Sequence, residues 1–334
     1  MSKKFLYGPL VLGALVMVIW YGIWLQGAKQ LKNVIAEFAV ESAEDGAIVT
    51  YDHVRVSGFP FFLRGKIDKP ATEIASGEMW LGDKLYMDAD ILSPKRLLFS
   101  PRGVHQFSSP SGETWRFIDD SARASFEKFE NKRWVAKFAG DYLKLDLANG
   151  TTGHLLDYLL NVQRVSKELD IYEASMVTGS AAIDGGAYEG KPLKLASIEG
   201  AARLYKASLL QESTLEIWQS QGGRLEIDRI VISTDDAFFS VSGDVSIDPD
   251  GHLTGDLKAV TENPAKLTPL FAAIGQLSDD ESRATSAALL MLSIASGGKI
   301  EAPVELKNGG AYILGVQVAA LPNVKTNSID EDQN

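Results

Sequence analysis

The chain is 334 residues long and carries 33 Lys+Arg against 44 Asp+Glu, a formal charge of −11. That balance excludes ordinary nucleic-acid binding, which needs positive charge concentrated against phosphate. The complete absence of cysteine excludes disulfides, thiol chemistry and cysteine-linked lipids, and fits a protein of the bacterial envelope.

The first element is an anchor. From Phe5 to Ala28 the run FLYGPLVLGALVMVIWYGIWLQGA contains no charge. At ~1.5 Å per residue it is long enough to cross a hydrocarbon core of roughly 30 Å. Tyr7 lies near one end and Trp20, Tyr21 and Trp24 near the other, where amphipathic rings favour the membrane interface. The run exceeds the ~7–15 residues of a signal-peptide core, and its exit lacks a small-x-small cleavage pattern. Lys3, Lys4 and the chain's amino terminus before it, against Lys29 and Lys32 after it, tip the positive-inside rule slightly toward an internal N-terminus. The expected location is therefore the bacterial inner membrane, single-pass, with the C-terminal body in the periplasm. Leu31, Val34, Ile35 and Phe38 recur at helical spacing and Gly46 supplies a stop. One helix from about residue 4 to 44, with an amphipathic second half, is predicted. The expected organisation is residues 1–45 as membrane and juxtamembrane helix, 46–325 as one β-rich domain, and 326–334 as a disordered acidic tail.

The period then changes from about 3.6 to 2. Phe59, Phe61, Leu63, Gly65 and Ile67 alternate with mostly polar neighbours, as do Leu85, Met87, Ala89 and Ile91. Trp115 and Phe117, Ala122, Ala124 and Phe126, then Trp134, Ala136 and Phe138 continue the pattern. Ser111-Gly112, Glu130-Asn131 and Gly140-Asp141 read as turns between them. Leucines 155, 156, 159 and 160 with Val162 predict a helix over 153–170. Ile198–Leu204 alternates again. Ser213 and Glu216 have capping-box spacing ahead of a short helix, 213–221, closed by Gly222-Gly223. Leu225, Ile227, Ile230 and Ile232 lead into a hairpin whose stripes are Val241–Ile247 and Leu253–Ala259, joined by a turn at Asp248–Gly251. Asn263 is a candidate N-cap for a helix over 264–276, and a second helix is predicted over 279–295, with closing strands near 299–307 and 310–319. The fold class is mainly β with helices (α+β): a transmembrane helix followed by a long curved antiparallel sheet packed by a few helices.

Catalytic chemistry has little to stand on. His53, His105, His154 and His252 are far apart and lack metal-ligand spacing. Gly185–Lys191 begins like a phosphate loop but continues into Pro192, which supplies neither the magnesium-binding hydroxyl nor a backbone N–H. Ser125–Lys128 and Ser296–Lys299 are formal SxxK pairs without a partner motif. The Asp248–Gly251 segment has Ala259 where a calcium loop needs its twelfth ligand. No catalytic, cofactor-binding or metal-binding residue is assigned, and no cofactor is expected.

Three segments carry a resemblance: VRVSGFPFFLRGKIDKP (54–70), IWQSQGGRLEIDRIVI (217–232) with the hairpin after it, and AYILGVQVAALPNV (311–324). With them the chain resembles the bacterial envelope family known as domain of unknown function 2125. Its layout is also similar to AsmA-like periplasmic proteins. That similarity implies an inner-membrane helix ahead of a curved sheet whose apolar groove handles lipid, an analogy of fold alone. The candidate groove residues are Phe59, Phe61, Leu63, Trp115, Phe117, Trp134 and Phe138. The expectation is a non-enzymatic, membrane-anchored β-groove protein that binds lipid or another apolar envelope component. The alternative is a structural or assembly protein acting through envelope protein partners.

Overall fold

In the computed structural model, residues 3–44, 46–75, 77–90, 96–129, 133–148, 150–166, 168–185, 188–209, 215–266, 299–313, 315–321 and 323 are described. The chain divides into two compact units, Met1–Lys128 and Phe129–Asn334. The expected tail and the expected helices over 267–276 and 279–295 lie outside the described residues.

The first unit opens with helix α1, Lys3–Glu44, long and apolar enough to cross a membrane. At ~1.5 Å per residue its 42 residues reach about 60 Å, twice a hydrocarbon core. It ends in a Schellman-type closure: Ala47 N–H donates to Ser42 O at 2.7 Å, and Gly46 sits at φ +81°. Among the described residues eight strands follow: β1 (Ile48–Thr50), β2 (His53–Ser57), β3 (Phe62–Asp68), β4 (Ala71–Glu73), β5 (Met79–Asp90), β6 (Arg96–Ser108), β7 (Thr114–Ile118) and β8 (Arg123–Lys128). The pairings among their described residues are antiparallel. The long strands β5 and β6 form a spine, and short strands pair end to end along it: β3 and β4 on β5, β7 and β8 on β6. Between β7 and β8 the buried Asp119 carboxylate accepts from Ser121 N, Ser121 Oγ and Ala122 N, satisfying the turn it interrupts.

Trp24, Ala28, Leu31 and Ile35 bury themselves against Leu63, Ile67, Met87 and Ala89. Their 4-3-4 spacing keeps them on one line of the helix. Of the expected stripe, Leu31 and Ile35 belong to this line, whereas Val34 and Phe38 stand exposed. Val34 is displaced by about 100° from Ile35 on the helix circumference, away from the sheet. On the sheet, Leu63, Gly65 and Ile67 face the helix as alternation predicts. The strand begins only at Phe62, so Phe59 and Phe61 belong to the preceding turn and not to that face.

The second unit contains β9 (Trp134–Asp146), β10 (Thr151–Ser166), β11 (Ile171–Val177), β12 (Ser180–Gly185), β13 (Tyr188–Leu195), β14 (Ser197–Tyr205), helix α2 (Leu215–Ser220), β15 (Arg224–Ser233), β16 (Phe238–Ile247), β17 (Leu253–Glu262), β18 (Lys299–Lys307), β19 (Gly310–Ile313) and β20 (Val316–Ala320). From β14 through β19 each strand pairs antiparallel with the next. Two expectations fail here. Gly140-Asp141 is no turn, because β9 runs through it with Gly140 paired to Tyr158. The predicted helix over 153–170 is instead strand β10. Asp157 adopts φ +49° and breaks the alternation. Leu155 faces the core before it, and Tyr158 and Val162 face the core after it. This shift of one residue turns a period-2 pattern into helix-like i, i+3 spacing.

Asn263 also departs from expectation. Its backbone sits at φ +51° and its side-chain amide donates to Asp236 O, while its carbonyl accepts from Lys266 N–H in a 3-10 turn, Pro264–Lys266; the rest of the expected helix lies outside the described residues. Asp248–Gly251 is a turn as read, with the Asp248 carboxylate accepting from the backbone of Asp250 and His252.

Candidate functional site

The register of the second unit assembles one apolar face. Following the ladders, Ala136, Val162, Ala174, Ala202, Ile227, Gly243, Leu257, Val304 and Ile313 form a line across nine strands. Beside it run Phe138, Leu160, Met176, Gly200, Ile230, Val241, Ala259 and Ala302. The irregularity in β15 keeps both Ile227 and Ile230 in these lines, since two residues there, Asp228 and Arg229, stand against one in β16, Ser242. Toward β18 the face is packed: Val245, Ala259, Val304, Leu306 and Ala311 are buried together.

Toward β9 it opens into a concave, mostly apolar cavity of about 520 Å³, lined by Trp134, Val162, Tyr172, Ala202, Leu204 and Leu225 among others, with Glu173 its one charged lining residue among those described. Small residues make the hollow: Ala174 and Ala202 stand where larger side chains would fill it. The Tyr172 ring meets the Trp134 ring edge-on at 5.6 Å and lies under the Arg164 guanidinium at 5.4 Å. Arg164 is ion-paired to Asp170 at 3.1 Å. The Ser208 hydroxyl and backbone and Arg164 together hold the Asp170 carboxyl below its usual range, against the opposing effect of burial.

The register places Glu173, Arg203 and Glu226 in the adjacent line. Arg203 contacts Asp228 at 3.0 Å, Glu226 at 3.3 Å and Glu173 at 3.7 Å. Asp228, then the other carboxylates, raise the guanidinium's pKa above its ordinary value.

The seven residues marked from sequence divide between the units. Trp134 lines the cavity, and Phe138 packs on Tyr158 at 5.4 Å in the same apolar face. In the first unit, Leu63 is buried under α1, Phe117 stacks on His105, and Trp115 pairs with Phe107 across β6 and β7. Phe59 packs against Tyr21 and Trp24 of α1, and Phe61 is exposed. The sequence reading does not single out Tyr172, Glu173, Leu204 or Leu225, which line the cavity with Trp134. Their apolar alternation was visible at Leu204 and Leu225, but the link to Trp134 depends on strand pairing.

The histidines remain apart. Among the described residues no group of three His, Cys, Asp or Glu could hold a metal ion. His53 pairs with Asp68, His154 with Tyr142 and His252 with Asp248. His105 is different: fully buried, it is sandwiched between Trp80 at 5.7 Å and Phe117 at 4.8 Å, over Gly82. Burial pushes its pKa below the ordinary value, against smaller opposing pulls from the Arg102 backbone and Asp83. The unfolded chain therefore binds a proton that the folded chain refuses. Stability is expected to fall as pH drops from about 6.5 toward the folded pKa, by at most ~1.4 kcal/mol per pH unit. Denaturation between pH 7.5 and 5 checks this: His105→Phe should flatten the slope, and an unchanged slope rejects the assignment.

Compared with known proteins, the chain matches at residues 24–322 the model of a family described as "Uncharacterized protein conserved in bacteria (DUF2125)". No curated protein and no solved structure matches it.

Proposed function

The chain belongs to this bacterial family, domain of unknown function 2125, and we propose that it is a membrane-anchored, non-catalytic binding module that holds an acyl chain on the apolar face of its second unit. In this reading α1 crosses the inner membrane and the body stands in the periplasm. The observation that carries it is the cavity of about 520 Å³ set into a face that is apolar across nine strands. The volume falls within the roughly 300–1,000 Å³ typical of small-ligand pockets, and concave apolar walls with few polar groups suit an acyl chain. Arg164 stands beside the lining residue Tyr172 in the ladder, and in this reading the polar end of an amphiphile emerges toward it.

The test uses the full-length protein in vesicles containing a phospholipid with a photoreactive group on its acyl chain. Adducts are expected on β9, β10, β11 and β14, around Trp134, Val162, Tyr172 and Leu204. Filling the hollow with Ala202→Trp should cut those adducts at least about fivefold while leaving adducts on residues 5–25 unchanged. Adducts confined to residues 5–25 in the wild-type chain would sink the proposal.

A further inference from the structure

The turn between β2 and β3, Gly58–Phe61, presents two phenylalanines where water-soluble turns carry polar residues. Phe61 is 79 % exposed, the most exposed of the large apolar side chains among the described residues, and Phe59 is 38 % exposed. The turn is held to one level of α1. Trp20 Nε1 donates to Pro60 O at 2.7 Å and Trp24 Nε1 donates to Phe62 O at 3.0 Å. The Phe59 ring meets Tyr21 and Trp24 edge-on at 5.3 and 5.8 Å. Gly58 makes the fold-back possible: it sits at φ +107°, and a Cβ there would lie 2.6 Å from Phe62 O. Phe61 and Phe62 both donate their N–H groups to Gly58 O.

Trp20, Tyr21 and Trp24 are the aromatic belt of the helix. Counting ~1.5 Å per residue from Phe5, a hydrocarbon core of roughly 30 Å ends near Trp24. Below that level the described helix is apolar and exposed, as at Leu12, Val16 and Ile19. Above it, Lys29 and Lys32 begin the charged part. The turn is therefore fixed at the depth where aromatic rings partition between hydrocarbon and headgroups.

We infer that Phe59 and Phe61 form a second membrane contact: the turn enters the interfacial layer of the bilayer that α1 crosses, beside the helix. This rests on the reading of α1 as a spanning helix. Two contacts at different points restrain the first unit's tilt, where one helix alone would leave it free to rock. The occupant is lipid, because the patch is continuous with the lipid-facing surface of the helix and is tied to it by both indole donors.

The chain has no cysteine, so single labels can be placed without other changes. Phe61→Cys, Val16→Cys and Ser111→Cys, each carrying an environment-sensitive fluorophore, are compared in full-length protein reconstituted in phospholipid vesicles. The lipids carry nitroxide quenchers either near the headgroup or deep in the acyl chain. At position 61 a blue-shifted emission, quenched at least twofold better by the shallow quencher, is expected. At position 16 the deep quencher should win, and at position 111 neither should act. Lipid-like emission at 16 with unquenched emission at 61 overturns the inference and leaves the anchor standing. Unquenched emission at both positions overturns the anchor, and the inference with it. Phe59→Cys is the second probe should the label at 61 disturb the turn, and it must report the same shallow depth.

Discussion

Gly223→Ala is expected to destabilise the second unit by about 3–5 kcal/mol, the range for losing a buried tryptophan from a core. A Cβ at position 223 would lie 2.3 Å from the Cδ2 and Cε2 atoms of Trp218. That indole is only 3 % exposed, and its N–H donates to Tyr205 O at 2.8 Å. Gly223 N–H in turn donates to Trp218 O, closing the end of α2. The added methyl must therefore evict the ring, and eviction removes both its burial and its hydrogen bond. For a unit of this size the expected loss corresponds to a fall in Tm on the order of 10 °C. Heating the full-length chain in detergent, followed by near-ultraviolet circular dichroism, measures it. Ser220→Ala, at the exposed side of the same helix, should stay within about 0.5 kcal/mol. A Gly223→Ala protein melting within about 2 °C of wild type would show that the ring is not held as described. The same geometry explains the spacing of the IWQSQGG segment physically: one tryptophan, one helical turn, and a glycine for the ring to lie on.

Leu31→Asp should release α1 from the first unit. Leu31 is 7 % exposed and sits in the line that packs on β3, with its Cδ2 3.5 Å from the position a Gly65 Cβ would occupy. Removing its burial costs about 2–3 kcal/mol, and an unpaired carboxylate in that seam adds the cost of desolvation. The sheet face of Leu63, Ile67, Met87 and Ala89 would then meet water. Trypsin cleavage after Lys29 and Lys32 in membranes is expected to accelerate at least tenfold, while Val34→Asp, on an exposed position, should cleave at the wild-type rate. Equal rates in all three proteins would mean that the helix does not depend on this seam.

Both predictions concern features that were partly legible in the chain. The helix was readable because length, apolarity and the Gly46 stop are local sums along the sequence. The hairpin of β16 and β17 was readable for the same reason: alternation on both arms and an Asp-Pro-Asp-Gly turn between them. The stripe on α1 was read with Val34 and Phe38 included, and the structure narrows it to Trp24, Ala28, Leu31 and Ile35. Periodicity names an apolar arc, but the width of the partner sheet decides which part of the arc is covered.

Strand β10 reads as a helix in the sequence because a positive φ at one residue, Asp157, shifts the alternation by one, and a backbone angle leaves no mark in a hydrophobicity pattern. The apolar cavity was legible only at Trp134. Its other walls come from β10, β11, β14 and β15, and their convergence is set by ladder register over long sequence separations. What the sequence by itself determined is therefore the membrane-length helix, the antiparallel character of the body and the alternating faces of most strands. The tertiary structure alone decided that Leu63 lies under the helix, that Phe61 stands exposed beside the aromatic belt, and that Ala174 and Ala202 leave a hollow. Those outcomes depend on which residues meet across paired strands, and pairing is a property of the folded chain as a whole rather than of any window along it.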